Sequence, residues 1–549
     1  MSIEPPSFDV AAALLNWVIA IVACSIIGLA AGFAGSLAYR GTSGPRVFWN
    51  TLKRGFRDLT RLSLSRIGAI ASLTIKEAIS RKAFVIGLLF LLLFMFGGWF
   101  LSSSDAEKPA LPYITFVMTI MYFLLNLMAI LISCWGLPAD IKAKSMHTVV
   151  TKPVRRSEIV IGRIVGYSGV VLSVLAVTSI FGYVWIQRQV PQQAKDQLIA
   201  RVPAYGSLSF LTRTGQPSET GTNVGDIWEY RGYIEGLSKA RAIWKFDNLD
   251  TAELRKRGEI RFEQKFEAFR TYKGDIEEQT RYQITLVNPT TKLRVPIEKS
   301  YPVAEHKQDP ELSVVVIPGE IEYQESYEVG ANAKVANLFD DLIDNGSLTV
   351  EVACIDDQQY IGCAEGDLFV RMEDRSFLSS YLKANIGLAF MLVLVVSIGT
   401  TSSCFVKGPV STLLTGSMII MGNVIYEFVN EAVKQQQERQ DGKVIGGGML
   451  ESIYRLVTGM NQTSPLPDNL GIAKDIIERL DQTVFNILFV VRSVIPDFTF
   501  FSMNKYTANG YDVPWTGALL PSILITLGFL FPLIILGYFS LQLRELEHK

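Results

Sequence analysis

Residues 377–405 read FLSSYLKANIGLAFMLVLVVSIGTTSSCF, and Lys383, near the leading end, is the one charged side chain in the run. A helix needs about 20 mostly apolar residues to cross roughly 30 Å of hydrocarbon, so this stretch reads as a membrane span. The sequence before it is of a different kind. Residues 187–376 are charged and mixed, with an acidic excess and several stretches that alternate polar and apolar with period two. Beyond both flanks the long apolar runs return, at 11–39, 83–101, 113–137 and 159–186 on one side and at 410–429 and 515–541 on the other. The expected fold class is therefore a polytopic α-helical membrane protein of about seven transmembrane helices with an inserted β-rich, β-sandwich-like extracytoplasmic domain.

Composition agrees. Of 549 residues, 49% are hydrophobic and 19% charged, with mean hydropathy +0.26, an apolar excess too large for an ordinary soluble chain. A net charge of −1 leaves no global basic field that would attract nucleic acid. Local charge is more informative, because Lys and Arg near span ends mark the cytoplasmic side. Between the first two runs lie Arg40, Arg46, Lys53, Arg54, Arg57, Arg61, Arg66, Lys76, Arg81 and Lys82 against only Asp58 and Glu77. Between the third and fourth lie Lys142, Lys144, Lys152, Arg155 and Arg156 against Asp140 and Glu158, and the tail carries Arg544 and Lys549. Seven crossings put all of these on one side and 187–376 on the other. The first ten residues lack Lys and Arg and carry Glu4 and Asp9, which suits an uncleaved anchor with its N-terminus outside better than a secretory signal.

The expected organisation is an anchor over 1–40, a basic linker with an amphipathic elbow helix over 41–82, and spans over 83–186 enclosing a cytoplasmic segment at 138–158. The outer domain follows over 187–376, then two spans over 377–430, an outer segment over 431–514, and the last span and tail over 515–549. Val484–Ile495 (VFNILFVVRSVI) is apolar but too short to cross and contains Arg492, so it reads as a re-entrant or interfacial helix. Within the outer domain, Tyr282, Ile284 and Leu286, then Leu293, Val295 and Ile297, alternate around the turn-forming Asn288-Pro289-Thr290-Thr291, which predicts a hairpin. Further strands are expected at 312–317, 348–353 and 368–372. Val335, Leu338, Phe339 and Leu342 have helical spacing and end at Asn345-Gly346.

Cys354 and Cys363 lie nine positions apart in this domain. In an oxidising compartment a disulfide between them is one reading, and two buried thiols in adjacent strands is the other. No GxxxxGK[ST] loop, HExxH or GxSxG occurs, and three histidines with five cysteines offer no metal site at these spacings, so neither catalysis nor a directly bound cofactor is expected. Ionisable groups, usual in proton or sodium pathways, are missing from the span cores, with Lys383 and Glu427 near span ends. The polar content is neutral: Asn126 in the third span, and Ser397, Thr400, Thr401, Ser402 and Ser403 in the fifth. Such residues either pack helices closely or line a translocation path; Asn126, Thr400, Thr401 and Ser402 are the candidates for the latter.

Two cytoplasmic stretches remain. In 66–82 (RIGAIASLTIKEAISRK), Ile67, Ile70, Thr74 and Ala78 form one stripe, as in an amphipathic helix lying in the interface. In 140–166 (DIKAKSMHTVVTKPVRRSEIVIGRIVG), Pro153 stops an incoming helix, Ser157 caps the next span and Glu158 lies in its first turn. At these motifs the chain resembles the permease subunits of ABC transporters of the second export class. There an elbow helix of the form KEAISRKAF precedes the first core span, and a KPvrRseiviGR-like segment, here within 145–163, precedes the third. The end of the chain is similar too, at IPDFTFF (495–501), Val513-Pro514-Trp515 and LQLRE (541–545). The extra first span and the large outer insertion depart from that pattern.

The resemblance implies a bacterial inner-membrane subunit working as a homodimer or heterodimer on separate cytoplasmic ATP-binding-cassette ATPases, which would carry the ATP and Mg. It also implies a coupling element at 139–157, with Lys142, Lys144, Pro153, Arg155 and Arg156 as contacts; the same cations would alternatively bind anionic lipid headgroups. Export or extraction of a substrate is the first functional expectation. Mechanical transmission to the outer domain, or a scaffold with no ATPase, are the alternatives.

Overall fold

The computed structural model describes residues 8–80, 89, 110–142, 154–222, 231–271, 279–303, 313–323, 334–426, 448–460, 466 and 470–546. The chain divides into two units, one built from 198–380 with 509–512 and the other from the remaining helical segments.

The helical unit begins with α1 (Val10–Arg40), whose N-cap Asp9 accepts from the Ala11 and Ala12 N–H groups at 2.9 and 3.2 Å. Next come α2 (Gly44–Thr60), α3 (Leu64–Ser80), α4 (Leu111–Lys142) and α5 (Arg156–Gln189). After the β unit follow α6 (Phe377–Phe405), α7 (Gly408–Ile420), α8 (Met449–Thr458), α9 (Ile472–Val494) and α10 (Leu520–Leu546). Among the described residues, five segments are long and apolar enough to cross a membrane: Val10–Ala38, Leu111–Ala139, Arg156–Gln189, Phe377–Phe405 and Trp515–Gln542. The protein is membrane-embedded through helices of this kind, because in hydrocarbon each backbone polar group must find its partner within the segment.

Of the seven expected spans, the one at 83–101 lies outside the described residues apart from Leu89. The one at 410–429 is described as far as Tyr426: α7 runs into a π-helical turn, Met421–Ile425. There Gly422 sits against Phe498, whose N–H donates to its carbonyl at 3.2 Å; a Cβ on Gly422 would lie 2.3 Å from that ring. The short apolar helix expected at 484–495 is the second half of α9, which starts at Ile472. Its polar first half includes Asp481, which accepts from the Leu450 and Glu451 N–H groups and so caps α8. Sequence reading missed that half because it carries no apolar run.

The β unit is antiparallel throughout its named strands. A six-stranded sheet runs in the order 294–303, 280–287, 348–354, 241–246, 207–211, 217–218. A four-stranded sheet runs 313–318, 259–264, 368–371, 203–205, and a three-stranded one 232–235, 359–363, 267–270. One core joins them: Trp244, Phe246, Phe262, Tyr282, Ile284, Leu286, Val295 and Val350 are fully buried, and the Phe246 and Phe262 rings meet at 6.0 Å between the two larger sheets.

The expected hairpin is present. Thr280–Val287 pairs with Arg294–Val303, and the Asn288 side chain accepts from the Thr290 and Thr291 N–H groups at 2.8 Å to set the turn. Strands at Ser313–Pro318, Leu348–Cys354 and Leu368–Arg371 match the others. The helix expected from Val335 to Leu342 is not formed. Lys334–Asn337 is a strand paired with Glu320–Tyr323, and only the five-residue π turn Leu338–Leu342 follows, capped by Asn337. Strand pairing of the leading residues overrides the helical spacing.

Candidate functional site: the basic junction of the helical unit

Two cationic stretches of the sequence converge at one end of the helical unit. The stripe Ile67, Ile70, Thr74, Ala78 on α3 is buried and packs against α5, where the sequence reading has it lying in the membrane interface. Gly162 and Gly166 make this possible: a Cβ on Gly162 would lie 2.7 Å from Ile70 Cβ, and one on Gly166 would lie 2.6 Å from Thr74 Cβ and 2.9 Å from the Ala71 carbonyl. Partners advance by four on both helices, so α3 and α5 run in the same direction in close small-residue packing.

Ion pairs hold this crossing at both ends. Glu158, fully buried, accepts from Arg66 Nε at 2.8 Å and Arg66 Nη2 at 2.6 Å, and from the Ser63 and Arg155 N–H groups at 3.0 and 3.1 Å. It thereby caps the start of α5 and fixes the α2–α3 turn. Farther along, Arg163 donates to Glu77 at 2.7 Å and to the Tyr167 hydroxyl at 2.9 Å. Asp58 of α2 accepts from the Tyr538 hydroxyl of α10 at 3.0 Å and lies 3.8 Å from Arg155, while Ser157 donates to the Asp58 carbonyl at 2.9 Å.

This geometry changes the reading of the expected coupling set. Arg155 donates to the Arg57 carbonyl at 3.3 Å and to the Arg61 carbonyl, so its head is committed to the α2–α3 turn. Arg156 opens α5. Lys144, Pro153 and the Lys142 side chain lie outside the described residues. Asp58 and Glu77 have no role in the sequence reading beyond being minority acids in basic stretches, and Glu158 is read there only as a first-turn acid. Their scarcity was the available signal, since few acids among many cations will each find one.

The neutral polar residues in the spans close against one another. Thr400, Thr401 and Ser402 are buried; Ser402 Oγ meets Ser411 Oγ at 2.5 Å and Thr415 Oγ1 at 3.3 Å, Thr415 meets Cys134 Sγ at 3.4 Å, and Thr401 donates to the Leu533 carbonyl at 3.1 Å. Asn126 donates to the Tyr122 carbonyl at 2.7 Å. Its amide oxygen and Thr400 Oγ1 are buried without a hydrogen-bond partner among the described residues. Through these hydrogen bonds α6 is joined to α7 and α10, and α7 to α4.

In the β unit, Cys354 and Cys363 are separate buried thiols, which corrects the disulfide reading. Cys354 ends a strand of the six-stranded sheet, with its Sγ directed at the Asp356 and Gln359 carbonyls; Cys363 ends a strand of the three-stranded sheet. Burial pushes the Cys354 thiol up to about 11 and Cys363 well above its usual value. No metal-binding cluster of His, Cys, Asp and Glu occurs among the described residues.

A second cluster in this unit involves Glu263, whose side chain is fully buried and accepts from Arg201 at 3.0 Å and Arg371 at 2.9 Å. Arg201 also donates to the Asn509 carbonyl at 3.0 Å and stands 4.9 Å over the Tyr511 ring. Backbone bonds of 2.8 Å link Arg201 N–H to the Gly510 carbonyl and Asp512 N–H to the Arg201 carbonyl, and Arg375 pairs with Asp512 at 2.8 Å. Residues 509–512, which come just before the last span in sequence, are thus built into the β unit.

No protein-family model, no curated protein and no solved structure matches this chain.

Proposed function

We propose that this chain is the membrane subunit of an ATP-driven complex of the ABC type-2 permease kind, in a bacterial inner membrane, with its β unit on the outer side. A separate cytoplasmic ATPase carries the nucleotide and Mg, and two permease chains, alike or related, sit on it. The observation that carries this reading is the clamp between α3 and α5. The coupling element expected at 139–157 ends, in sequence, at a helix start that Glu158 and Arg163 tie to α3, and that Ser157 and Arg155 tie to α2. Force applied to that segment therefore moves several helices together. The lack of a phosphate loop and of charged span cores in the sequence supports a source of work on a separate subunit.

The test is co-purification in a mild detergent. A protein that hydrolyses ATP should accompany the chain, and Lys142→Glu with Lys144→Glu should reduce its recovery while the permease stays in the membrane fraction. Repeated recovery without any ATP hydrolysis would favour a scaffold and end this reading.

Mechanical transmission is a second reading with an observation of its own. The chain re-enters the helical unit at Val513 directly from Asn509–Asp512, a segment held by Arg201 and Arg375. Tilting of the last span would pull on the β unit through this tether. An ATP-dependent change in cross-linking within the β unit, with no molecule moved across reconstituted vesicles, would support transmission over export.

A further inference from the structure

The helix α2 has an outward face that the clamp does not use. Its inner face touches the ends of three spans in succession. Phe48 meets Phe33 of α1 edge-on at 5.7 Å, Gly55 lies where a Cβ would be 3.0 Å from the Phe539 ring of α10, and Asp58 meets Tyr538 and Ser157. From Phe48 to Asp58 is roughly 15 Å of helix. A helix that passes from one span end to the next lies across the bundle end, in the plane of the membrane surface. The turn Gly41–Ser43 joins it directly to α1, with Ser36 Oγ donating to the Gly44 carbonyl at 2.7 Å.

About 100° around the helix from the Phe48–Gly55 line, Trp49 is 54% exposed and Phe56 74%, seven residues apart and so on one line of the helix. Beside that line run Arg46, Lys53 and Arg57, with Arg54 beyond, all exposed. None of these four pairs with a carboxylate among the described residues, and Asp58, the one acid of α2, is engaged by Tyr538. An aromatic line flanked by a cationic line, at the level where spans end, matches a headgroup layer of negative charge over an acyl boundary.

We propose that α2 is an interfacial helix that binds anionic phospholipid, with Trp49 and Phe56 seated at the acyl boundary and Arg46, Lys53 and Arg57 on headgroup phosphates. This holds whether or not an ATPase binds the chain.

The full chain, extracted in mild detergent with equal amounts of phosphatidylglycerol and phosphatidylcholine, should retain the anionic lipid in excess, by about fivefold for one cation's worth of attraction. Retained lipid is counted by mass spectrometry. Arg46→Glu, Lys53→Glu and Arg57→Glu combined should remove the excess, whereas Arg213→Glu, Arg255→Glu and Lys256→Glu on the β unit should keep it. In vesicles of brominated lipid, Trp49→Phe should lower the quenched share of tryptophan emission. If the triple Glu variant does not fold, the triple Gln variant with an unchanged unfolding midpoint decides. An unchanged lipid ratio in a folded variant overturns the proposal, and so does loss of a co-purifying ATPase with the lipid ratio intact, which would make this face a protein-docking surface.

Discussion

Removing the Glu263 carboxylate tests whether the β unit is held at its tether by charge. Glu263→Ala leaves two guanidinium groups that are 19% and 16% exposed facing an empty site. Breaking a buried pair by deleting one partner costs about 3–5 kcal/mol. Here the low end applies, because Arg201 keeps the Asn509 carbonyl and the Tyr511 ring, and Arg371 keeps both oxygens of Asp374 at 3.0 and 2.6 Å. At about 2–4 °C per kcal/mol for a domain of this size, roughly 3 kcal/mol lowers the unfolding midpoint by about 6–12 °C. The assay is thermal unfolding of the full chain in detergent, followed by the emission of tryptophans that include the fully buried Trp244. Glu263→Gln, which keeps an acceptor, should cost about half as much. A Glu263→Ala midpoint no lower than that of the exposed-site control Glu320→Ala would refute the reasoning.

Further outcomes follow from the same geometry. Gly166→Val puts side-chain atoms into Thr74 and the Ala71 carbonyl and should destabilise the helical unit by about 1–3 kcal/mol, read as a lower inactivation temperature, while Gly68→Ala, with nothing within 4 Å of its added Cβ, should not. Arg155→Glu should loosen the same unit, because it deletes two bonds to the α2–α3 turn and sets a second carboxylate beside Asp58; unchanged protease resistance of 57–66 would count against it. Cys354 should resist iodoacetamide in the native chain at pH 8 and react in denaturant, by peptide mass, and a disulfide-linked peptide spanning 354–363 would contradict the free thiols. Since folding raises this thiol from its ordinary value of 9.0 to about 11, its contribution to stability is present below the unfolded value and lost as pH rises through the folded one. The midpoint should fall across that window, and less so in Cys354→Ala.

Much of the architecture was legible because it follows from local rules. Long apolar runs become helices where lipid leaves the backbone no other partner, and Tyr282, Ile284 and Leu286 alternate because one face of their strand is the core. Pairing across the chain was not legible. Glu158 reads locally as a first-turn acid and Arg66 as one cation among many, 92 positions away, and nothing in either stretch says that they meet. Residues 509–512 gave no periodic signal, because an isolated bridge and side-chain clamps tie them to the β unit rather than a ladder of their own.

The α3 stripe shows why the partner of an apolar face is harder to read than the face itself. Ile67, Ile70, Thr74 and Ala78 suit lipid and protein equally, because lipid tails are as apolar as leucine and no hydrophobic driving force separates the two choices. What decides is the shape of the other surface. Gly162 and Gly166, spaced by four on α5, open a groove that only a close-packed helix can fill, and Arg163, beside the first of them, reaches Glu77 once α3 is seated. A stripe facing small residues at matching spacing, with opposite charges at the margin, therefore predicts helix pairing. One flanked by aromatic and cationic lines, with nothing small to receive it, predicts a lipid surface. By that criterion α3 belongs inside the bundle, and the outward face of α2 belongs against the membrane.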